Sequence, residues 1–220
     1  MPIKIFNPTK HQIDPNVKKI INKYKNKTDL VITVGGDGSI LGAEKKYPSI
    51  PKLPLRFSKI CNHCYCISNL ESVMQNIIKE KIKPKQYTKL KAKYKNKTLI
   101  ALNEINIKTK DPRSALRFQV STSSAKKELM ADGLVVATPF GSTAYFKSIS
   151  NTTFTQGIGI ALNNAVTPET TKIVTENTNI TIKILRGPAL VFADNQNIFW
   201  QLNNLESITI KKHSQSAFVY

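Results

Sequence analysis

The sequence has few cysteines, few acidic residues and no long apolar run, and each shortage excludes a class of protein. Its 220 residues include 3 cysteines, and 14 acidic residues stand against 33 lysines and arginines. Cys61, Cys64 and Cys66 are an odd, clustered set, which is not the pattern of an extracellular disulfide framework. The sequence contains no run of about 18 apolar residues, the length that spans a membrane. The apolar stretch at residues 3–6 is too short for a secretory signal. We therefore expect a cytoplasmic protein with no membrane partner.

Two common nucleotide-binding fingerprints are also absent. There is no Gly-x-x-x-x-Gly-Lys-Ser/Thr loop, so the chain is not a P-loop enzyme. Gly36 and Gly38 are followed by Gly42, one position too late for the dinucleotide fingerprint of hydride-transfer enzymes. Any nucleotide must therefore be bound by a different arrangement.

The net charge of +19 favours anionic partners such as nucleotides, nucleic acid or acidic lipid. Most of this charge is lysine, and the abundance of lysine, asparagine and isoleucine together is typical of an A+T-rich genome. The lysine-rich tract 81–97, with Tyr87 and Tyr94 within it, could bind nucleic acid. We favour a solvated linker and strand face for this tract, so nucleic acid is not the expected partner.

The most informative feature is a glycine turn that follows a short apolar run. Residues 30–34 read Leu-Val-Ile-Thr-Val, which predicts a buried strand, and Gly35, Gly36, Asp37 and Gly38 follow it. Glycines allow the backbone to approach a ligand closely, and a strand-to-helix turn directs N–H groups at an anion such as phosphate. A carboxylate in such a turn suggests phosphate chemistry, because it would repel phosphates unless it binds a metal, accepts a proton or binds hydroxyls. The alternative is a βα turn whose glycines serve geometry alone.

Two further stretches carry polar groups at strand ends. Asn103 and Glu104 interrupt an apolar run, and they must lie at a bend or bulge to act together. An amide beside a carboxylate suits a vicinal diol such as ribose, although for the pair taken alone a turn or an exposed strand edge is the more frequent explanation. The segment 132–145 is an Asp-Gly turn, a buried strand, and a loop rich in glycine and hydroxyls; Ser142 or Thr143 could simply cap a helix there.

With these three motifs in this order, the chain resembles the NAD kinase family, whose signature is a GGDG turn, an Asn-Glu pair and a DG…TPTGSTAY segment. The resemblance covers residues 30–45 and 95–147 well and the flanks loosely. It implies transfer of a phosphoryl group from ATP or inorganic polyphosphate to the adenosine 2′-hydroxyl of NAD, which makes NADP. It also implies Mg²⁺ or another divalent cation bound with ATP, no metal ligand assigned to the protein, and a homo-oligomer (dimer or tetramer).

The resemblance also implies roles for individual residues. Asp37 would be the catalytic residue that takes or orients the ribose proton. The phosphate-binding backbone would be that of Gly35, Gly36 and Gly38. The NAD-binding residues would be Asn103, Glu104, Asp132, Thr143, Ala144, Tyr145 and Ser148, with the first two on the adenosine ribose and Asp132 on the nicotinamide side.

The chain departs from the family at several positions. Phe140 replaces a small hydroxyl residue, and we expect its ring either to stack on adenine, which we favour, or to narrow the pocket. Residues 148–152 lack the two glycines of the family's Ser-Ala-Gly-Gly-Pro run, and residues 194–196 resemble its Asp-Gly-Gln turn without the glycine. These departures keep open a non-catalytic dinucleotide-binding protein on the same fold, or a nucleic-acid-binding protein that uses the lysine-rich surface.

The order of predicted elements gives the fold class. Strands and helices alternate over residues 1–82, with Asp14 and Pro15 opening one helix and a Ser68–Glu71 capping box opening another, which predicts a small parallel α/β domain. Residues 83–220 read as short strands with a helix near 142–149, which predicts a β-rich domain that binds the dinucleotide. The architecture expected is thus the two-domain arrangement of NAD kinases. We interpret the cysteines as thiols in a loop rather than a zinc site.

Overall fold

The computed structural model describes residues 2–57, 61, 63–166 and 169–220. The chain forms two compact units, one of Met1–Tyr87 with Ser216–Tyr220 and the other of Thr88–Gln215. The division predicted from the sequence falls after residue 82 and leaves the C-terminus in the second domain. The structure differs because a short strand before residue 88 and a last strand near the C-terminus pair with each other in the first unit.

In the described part of the chain, strands and helices alternate before residue 80, and almost all elements after it are strands. The helices are α1 (Pro15–Tyr24), α2 (Asp37–Lys46), α3 (Leu70–Ile78) and α4 (Tyr145–Ser150), with 3-10 turns at Ile67–Asn69 and Gly141–Thr143. The strands are β1 (Lys4–Phe6), β2 (Val31–Gly35), β3 (Lys52–Arg56), β4 (Lys85–Tyr87), β5 (Leu90–Tyr94), β6 (Lys97–Ala101), β7 (Glu104–Thr109), β8 (Leu116–Ser121), β9 (Lys126–Ala137), β10 (Ile158–Ala165), β11 (Lys172–Val174), β12 (Ile180–Arg186), β13 (Ala189–Ala193), β14 (Phe199–Leu202), β15 (Ser207–Lys212) and β16 (Ala217–Val219).

The first unit is a mixed sheet in the order β1-β2-β3-β16-β4. Strand β2 pairs in parallel with β1 and with β3, and every residue of β2 is buried. A fully buried central strand of a parallel sheet is apolar on both faces, which is why the run at 30–34 shows no alternation. Its carboxyl end is the edge at which open α/β sheets bind ligands.

Helix α1 begins as the sequence predicts, whereas α3 does not. The Asp14 side chain accepts a hydrogen bond of 2.7 Å from the N–H of Asn16, and proline occupies the first helical position. The capping box expected at Ser68 and Glu71 is wrong, because a 3-10 turn precedes α3 and its N-cap residue makes no side-chain cap. Glu71 instead accepts from Lys23 Nζ at 2.6 Å and Tyr24 Oη at 2.7 Å, so these groups of α1 take the carboxylate from its own helix end.

The second unit is an antiparallel sheet in the order β14-β13-β7-β9-β8-β12-β15-β5-β6, with β10 and β11 beside β9. Alternate residues of its strands form one large apolar core, which includes Phe118, Trp200 and Ile182. The twelve-residue strand β9 is central, since it pairs with β7, β8 and β10. None of the helices in the described part of the chain is long and apolar enough to cross a membrane.

Candidate functional site

The glycine turn joins β2 to α2 and has the geometry predicted for it. Gly35 has a φ of 144°, a conformation that favours glycine, and a Cβ there would lie 3.2 Å from the Cβ of Ser39. Gly36 is the N-cap residue of α2, and its carbonyl accepts from both the N–H and the Oγ of Ser39. Asp37 is thus in the first turn of a helix whose N-terminal end attracts anions.

A disulfide lies beside Asp37. Cys61 and Cys64 are bonded to each other, and Cys66 is an exposed free thiol. Our interpretation of the cluster as loop thiols is therefore wrong for the first two cysteines. Cys61 Sγ lies 3.1 Å from Asp37 Oδ1, and the backbone N–H of His63 donates to the same oxygen at 3.3 Å. Burial lowers the pKa of His63, against the opposing effect of the Asp37 charge.

The predicted bend at Asn103 and Glu104 is present between β6 and β7, and a carboxylate from far along the chain holds it. Asp194 accepts backbone hydrogen bonds from Leu102 at 2.8 Å, Asn103 at 2.8 Å and Glu104 at 3.2 Å. In return, the N–H of Asp194 donates to the carbonyl of Glu104 at 3.0 Å. The likeness of residues 194–196 to a family turn was noted from the sequence, but its action on the Asn-Glu bend was missed.

Glu104 is buried in a way that leaves hydrogen-bonding capacity unused. The residue is 6% exposed, and within the described structure its Oε2 and the Oδ1 of Asn106 are buried without a hydrogen-bond partner. Burial, and next the nearby Asp194 charge, raise the pKa of Glu104 to about 8. In the free protein at pH 7 the carboxyl is therefore mostly protonated, and a ligand that supplies hydroxyl donors would pair with the ionised Glu104 Oε2 and with Asn106 Oδ1.

Glu104, Asn106 and Lys108 lie on one face of β7, because alternate residues of a strand face the same way. Lys108 Nζ lies 4.5 Å from the ring centroid of Tyr145, and its charge also acts on Glu104. The structure therefore brings Tyr145 near the Asn-Glu bend through a shared lysine. Asn106 and Lys108 were missed, although the alternation Glu-Ile-Asn-Ile-Lys in the sequence is the signal that could have found them.

The loop after β9 packs directly on the same bend. Thr138 donates from its N–H to Asn103 O at 2.9 Å and from its Oγ1 to Leu102 O at 2.6 Å. A Cβ on Gly141 would lie 2.2 Å from Asn103 O, so only glycine allows this approach. Phe140 is 3% exposed, and its ring therefore presents no open face for stacking in this structure.

The remaining predicted residues of this loop lie around the start of α4. The cap residue of that helix is Ala144, without a side-chain cap, so the alternative in which Ser142 or Thr143 is the cap is wrong. Thr143 and Ser148 are exposed, and Ala144 and Tyr145 are partly buried. Asn151 ends the helix with a φ of 51°, so an asparagine takes the left-handed position that a glycine commonly fills.

Asp132 lies farther along β9 than the other predicted residues. Ala137 pairs with Glu104 and Gly133 pairs with Lys108, so the register puts Asp132 about five residues, or roughly 16 Å, from the Glu104 end. Its carboxylate accepts from the Asn164 side chain at 2.9 Å. A ligand would have to be extended to meet both Glu104 and Asp132.

We expect Asp194→Asn to weaken the Asn-Glu bend. The amide keeps one oxygen for three N–H donors, and Asn tolerates the left-handed backbone that Asp194 adopts with a φ of 49°. Loss of a charged acceptor for buried N–H groups should lower the free energy of unfolding by about 1–3 kcal/mol. Denaturant unfolding measures it, with Asp111→Asn on an exposed turn as the matched control, expected within about 0.5 kcal/mol of wild type. Equal stabilities for the two variants would contradict the role of Asp194.

Comparison with known proteins agrees with this geometry. The family profile of the ATP-NAD kinase C-terminal domain matches residues 102–219, more than half of the chain. A bifunctional NADP phosphatase/NAD kinase of Methanocaldococcus jannaschii is 26% identical over 202 residues, which are 86% of this chain and 35% of that protein. The NAD kinase of Methanothermobacter thermautotrophicus is 25% identical over 199 residues, 86% of this chain and 70% of that one.

A solved structure shows the same fold. The crystal structure of an NAD kinase from Archaeoglobus fulgidus in complex with ATP has a TM-score of 0.80 at 20% identity, and the match covers 100% of this chain and 93% of that one. The fold class predicted from the sequence is thereby confirmed: an NAD kinase-like fold with an α/β unit and a β-rich unit. The chain belongs to the NAD kinase family, as its three motifs indicated. It spans only about a third of the bifunctional relative, so that protein's activities are considered for this chain only as a proposal.

Proposed function

We propose that the protein is an NAD kinase, which transfers the γ-phosphoryl group of ATP to the adenosine 2′-hydroxyl of NAD and so makes NADP. The observation that carries this proposal is the pair of buried acceptors Glu104 Oε2 and Asn106 Oδ1. A ribose diol supplies two hydroxyl donors on neighbouring carbons, which satisfy acceptors of this kind. The relatives named NAD kinase and the related structure with ATP support the same donor and acceptor.

The first unit supplies the groups for phosphoryl transfer. Asp37 takes the proton of the attacking hydroxyl or orients that hydroxyl toward the phosphorus. The backbone at Gly35, Gly36 and Gly38, with the N-terminal end of α2, attracts the donor phosphates. Phosphoryl transfer requires positioning and charge stabilisation more than covalent chemistry, so a single acid beside an anion-binding turn is an adequate set.

The second unit supplies recognition of the dinucleotide. Asn103 and Glu104 hold the adenosine ribose, and Thr143, Ala144 and Tyr145 border the adenine. Ser148, on the exposed side of α4, contacts the same part of the ligand, and Asp132 contacts the nicotinamide side. These assignments remain predictions. The contact of Lys108 with the Tyr145 ring and the effect of the Lys108 charge on Glu104 support those for the adenosine half.

A divalent cation with ATP is the expected cofactor, and the described residues do not form an all-oxygen site for it. The group of side chains close enough to share a metal is Asp37 with the sulfurs of Cys61 and Cys64, whereas Mg²⁺ requires oxygen ligands and keeps several waters. A magnesium ion would therefore be held mainly by the donor phosphates, and it would supply positive charge that offsets theirs. A cytoplasmic location and a dimer or tetramer also remain predictions.

The test is an assay in which purified protein is incubated with NAD, ATP and Mg²⁺ and NADP is read with an NADP-specific dehydrogenase. We expect NADP formation that requires all three additions. Tight NAD binding by calorimetry without NADP would instead select the non-catalytic dinucleotide-binding protein. Binding to random DNA that weakens steeply with salt, together with no nucleotide binding, would select the nucleic-acid-binding protein. Polyphosphate in place of ATP identifies the preferred donor.

A further inference from the structure

The Cys61–Cys64 disulfide contacts the turn to which we assign phosphoryl transfer. Cys61 Sγ is 3.1 Å from Asp37 Oδ1, and Cys64 Sγ is 3.9 Å from the carbonyl oxygen of Gly35. Arg56 also holds this segment, since its guanidinium donates a hydrogen bond of 2.7 Å to Cys61 O. A change in the bonding of either sulfur therefore alters the immediate surroundings of the Asp37 carboxylate.

A purely structural role explains this disulfide poorly. Its cysteines are three residues apart, with Cα atoms separated by 5.6 Å. The stabilisation that a disulfide gives grows with the length of the loop it closes, and this loop is among the shortest possible. Two cysteines with two residues between them are instead the spacing of dithiol–disulfide couples, whose thiols exchange readily.

The two sulfurs differ in access. Cys61 is 5% exposed, whereas Cys64 is partly exposed to solvent. An external thiolate therefore reaches the sulfur of Cys64, and Cys61 is the leaving group. The Cys61 thiolate would be released beside the Asp37 carboxylate, where like charge and burial favour its protonation to the thiol.

We propose that Cys61 and Cys64 are a redox switch that controls Asp37, with a small-molecule or protein dithiol as the reductant; this inference rests on the proposed function. One thiolate of the dithiol attacks Cys64 Sγ, the Cys61–Cys64 bond breaks, and Cys61 leaves and takes a proton. The second thiolate of the reductant then attacks the reductant sulfur that is bonded to Cys64 in the mixed disulfide. This step releases Cys64, which also takes a proton. Two electrons and two protons pass to the pair, and the dithiol becomes a disulfide.

The two states differ in what Cys61 offers to Asp37. In the disulfide, Cys61 Sγ carries no proton and cannot donate to the carboxylate. In the dithiol, the Cys61 S–H is within reach of Asp37 Oδ1 and donates to it, which stabilises the ionised carboxylate. A carboxylate held in this way is a weaker base for the ribose hydroxyl, so reduction lowers turnover and oxidation restores it.

The experiment compares the same purified chain after treatment with oxidised or reduced dithiothreitol, with a chelator present during both treatments and removed before the assay with Mg²⁺. Alkylation and mass spectrometry should find one reactive cysteine, Cys66, in the oxidised protein and all three in the reduced protein. We expect kcat to fall about threefold or more on reduction, with the KM for NAD unchanged and full recovery on reoxidation. Cys64→Ser should show the lower kcat in both buffers. Cys66→Ser, the matched control, should respond as wild type does.

A readout without substrate separates this inference from the proposed function. The carboxyl ¹³C resonance of Asp37, assigned with Asp37→Asn, should change its chemical shift between the oxidised and the reduced protein, because Cys61 Sγ lies 3.1 Å from Asp37 Oδ1. If neither state makes NADP, the proposed function fails, and this chemical shift alone decides whether the pair controls Asp37. An unchanged chemical shift overturns the switch, as does equal kcat in an active enzyme.

Two other results also overturn it. Three alkylated cysteines after oxidant treatment would show that no disulfide forms in solution. Stoichiometric binding of Zn²⁺ by the reduced protein without chelator, with Cys61 and Cys64 protected from alkylation, would show that the cluster with Asp37 is a metal site instead.

Discussion

Asp37→Asn is expected to lower the turnover of NADP formation by about 10²–10⁴-fold, the usual contribution of a positioned acid–base group. The carboxylate is in the first turn of α2, within the glycine turn that we propose binds the phosphates. Asparagine has the same shape and keeps a hydrogen-bonding oxygen, but it cannot take the proton of the ribose hydroxyl. The substitution therefore removes the chemistry and leaves the turn in place.

Binding should be almost unaffected, so the two measurements together identify the role. We expect the dissociation constant of NAD, by calorimetry, to stay within a few-fold of the wild-type value. Asp14→Asn is the matched control, because Asp14 caps α1 at the exposed surface and asparagine is an equally good cap residue. It should retain wild-type turnover. If Asp37→Asn also keeps most of its turnover, Asp37 is not the base.

Local patterns predicted the parts of the site that depend on neighbours in the chain. The strand before Gly35, the helix after Asp37 and the bend at Asn103 follow from residues within a few positions. These elements are consistent with the structure because propensity, turn chemistry and apolar patterning agree there. The family resemblance added roles that the residues alone left open, such as ribose recognition by Glu104.

Long-range competition explains what the sequence did not reveal. The Ser68–Glu71 capping box was wrong because Lys23 and Tyr24, 48 and 47 residues away, bind the Glu71 carboxylate. Asp194 binds the backbone N–H of Asn103 from 91 residues away, and no local sequence pattern predicts that hydrogen bond. The disulfide was missed for a related reason: spacing alone does not distinguish bonded cysteines from loop thiols or metal ligands.

The raised pKa of Glu104 has a consequence for the pH dependence of the unliganded fold. Glutamate in the unfolded chain ionises near its ordinary pKa of 4.5, whereas in the folded protein it ionises at about 8. Between these values the unfolded chain releases a proton that the folded protein keeps, so the stability falls as pH rises from about 4.5 to about 8. Thermal unfolding of the free Glu104→Gln variant should lack this decrease in stability between about pH 4.5 and 8. The control Glu128→Gln, at an exposed strand position, should show the same decrease as wild type.

NAD binding should have the opposite dependence and should tighten as pH rises toward 8. The ribose hydroxyls donate to an ionised carboxylate, and at pH 6 only about one hundredth of Glu104 is ionised in the free protein, so the apparent dissociation constant is raised by the inverse of that fraction. We expect it to fall about tenfold between pH 6 and 7 and to level off above pH 8. Calorimetry in buffers of different ionisation enthalpy should detect release of about one proton at pH 7.

Glu104→Gln should remove this pH dependence. At pH 9 the variant should bind NAD about tenfold or more weakly than wild type, since a hydrogen bond to a charged group is worth about 1.5–3 kcal/mol. At pH 6 the variant should bind at least as tightly as wild type, because the wild-type side chain is then almost entirely a neutral acid and its apparent affinity has fallen about a hundredfold from the value at pH 9. Glu128→Gln should follow the wild-type curve at every pH. An NAD affinity of the wild type that is flat from pH 6 to 9, or a Glu104→Gln curve that still rises with pH, would refute the binding of the ribose diol by Glu104.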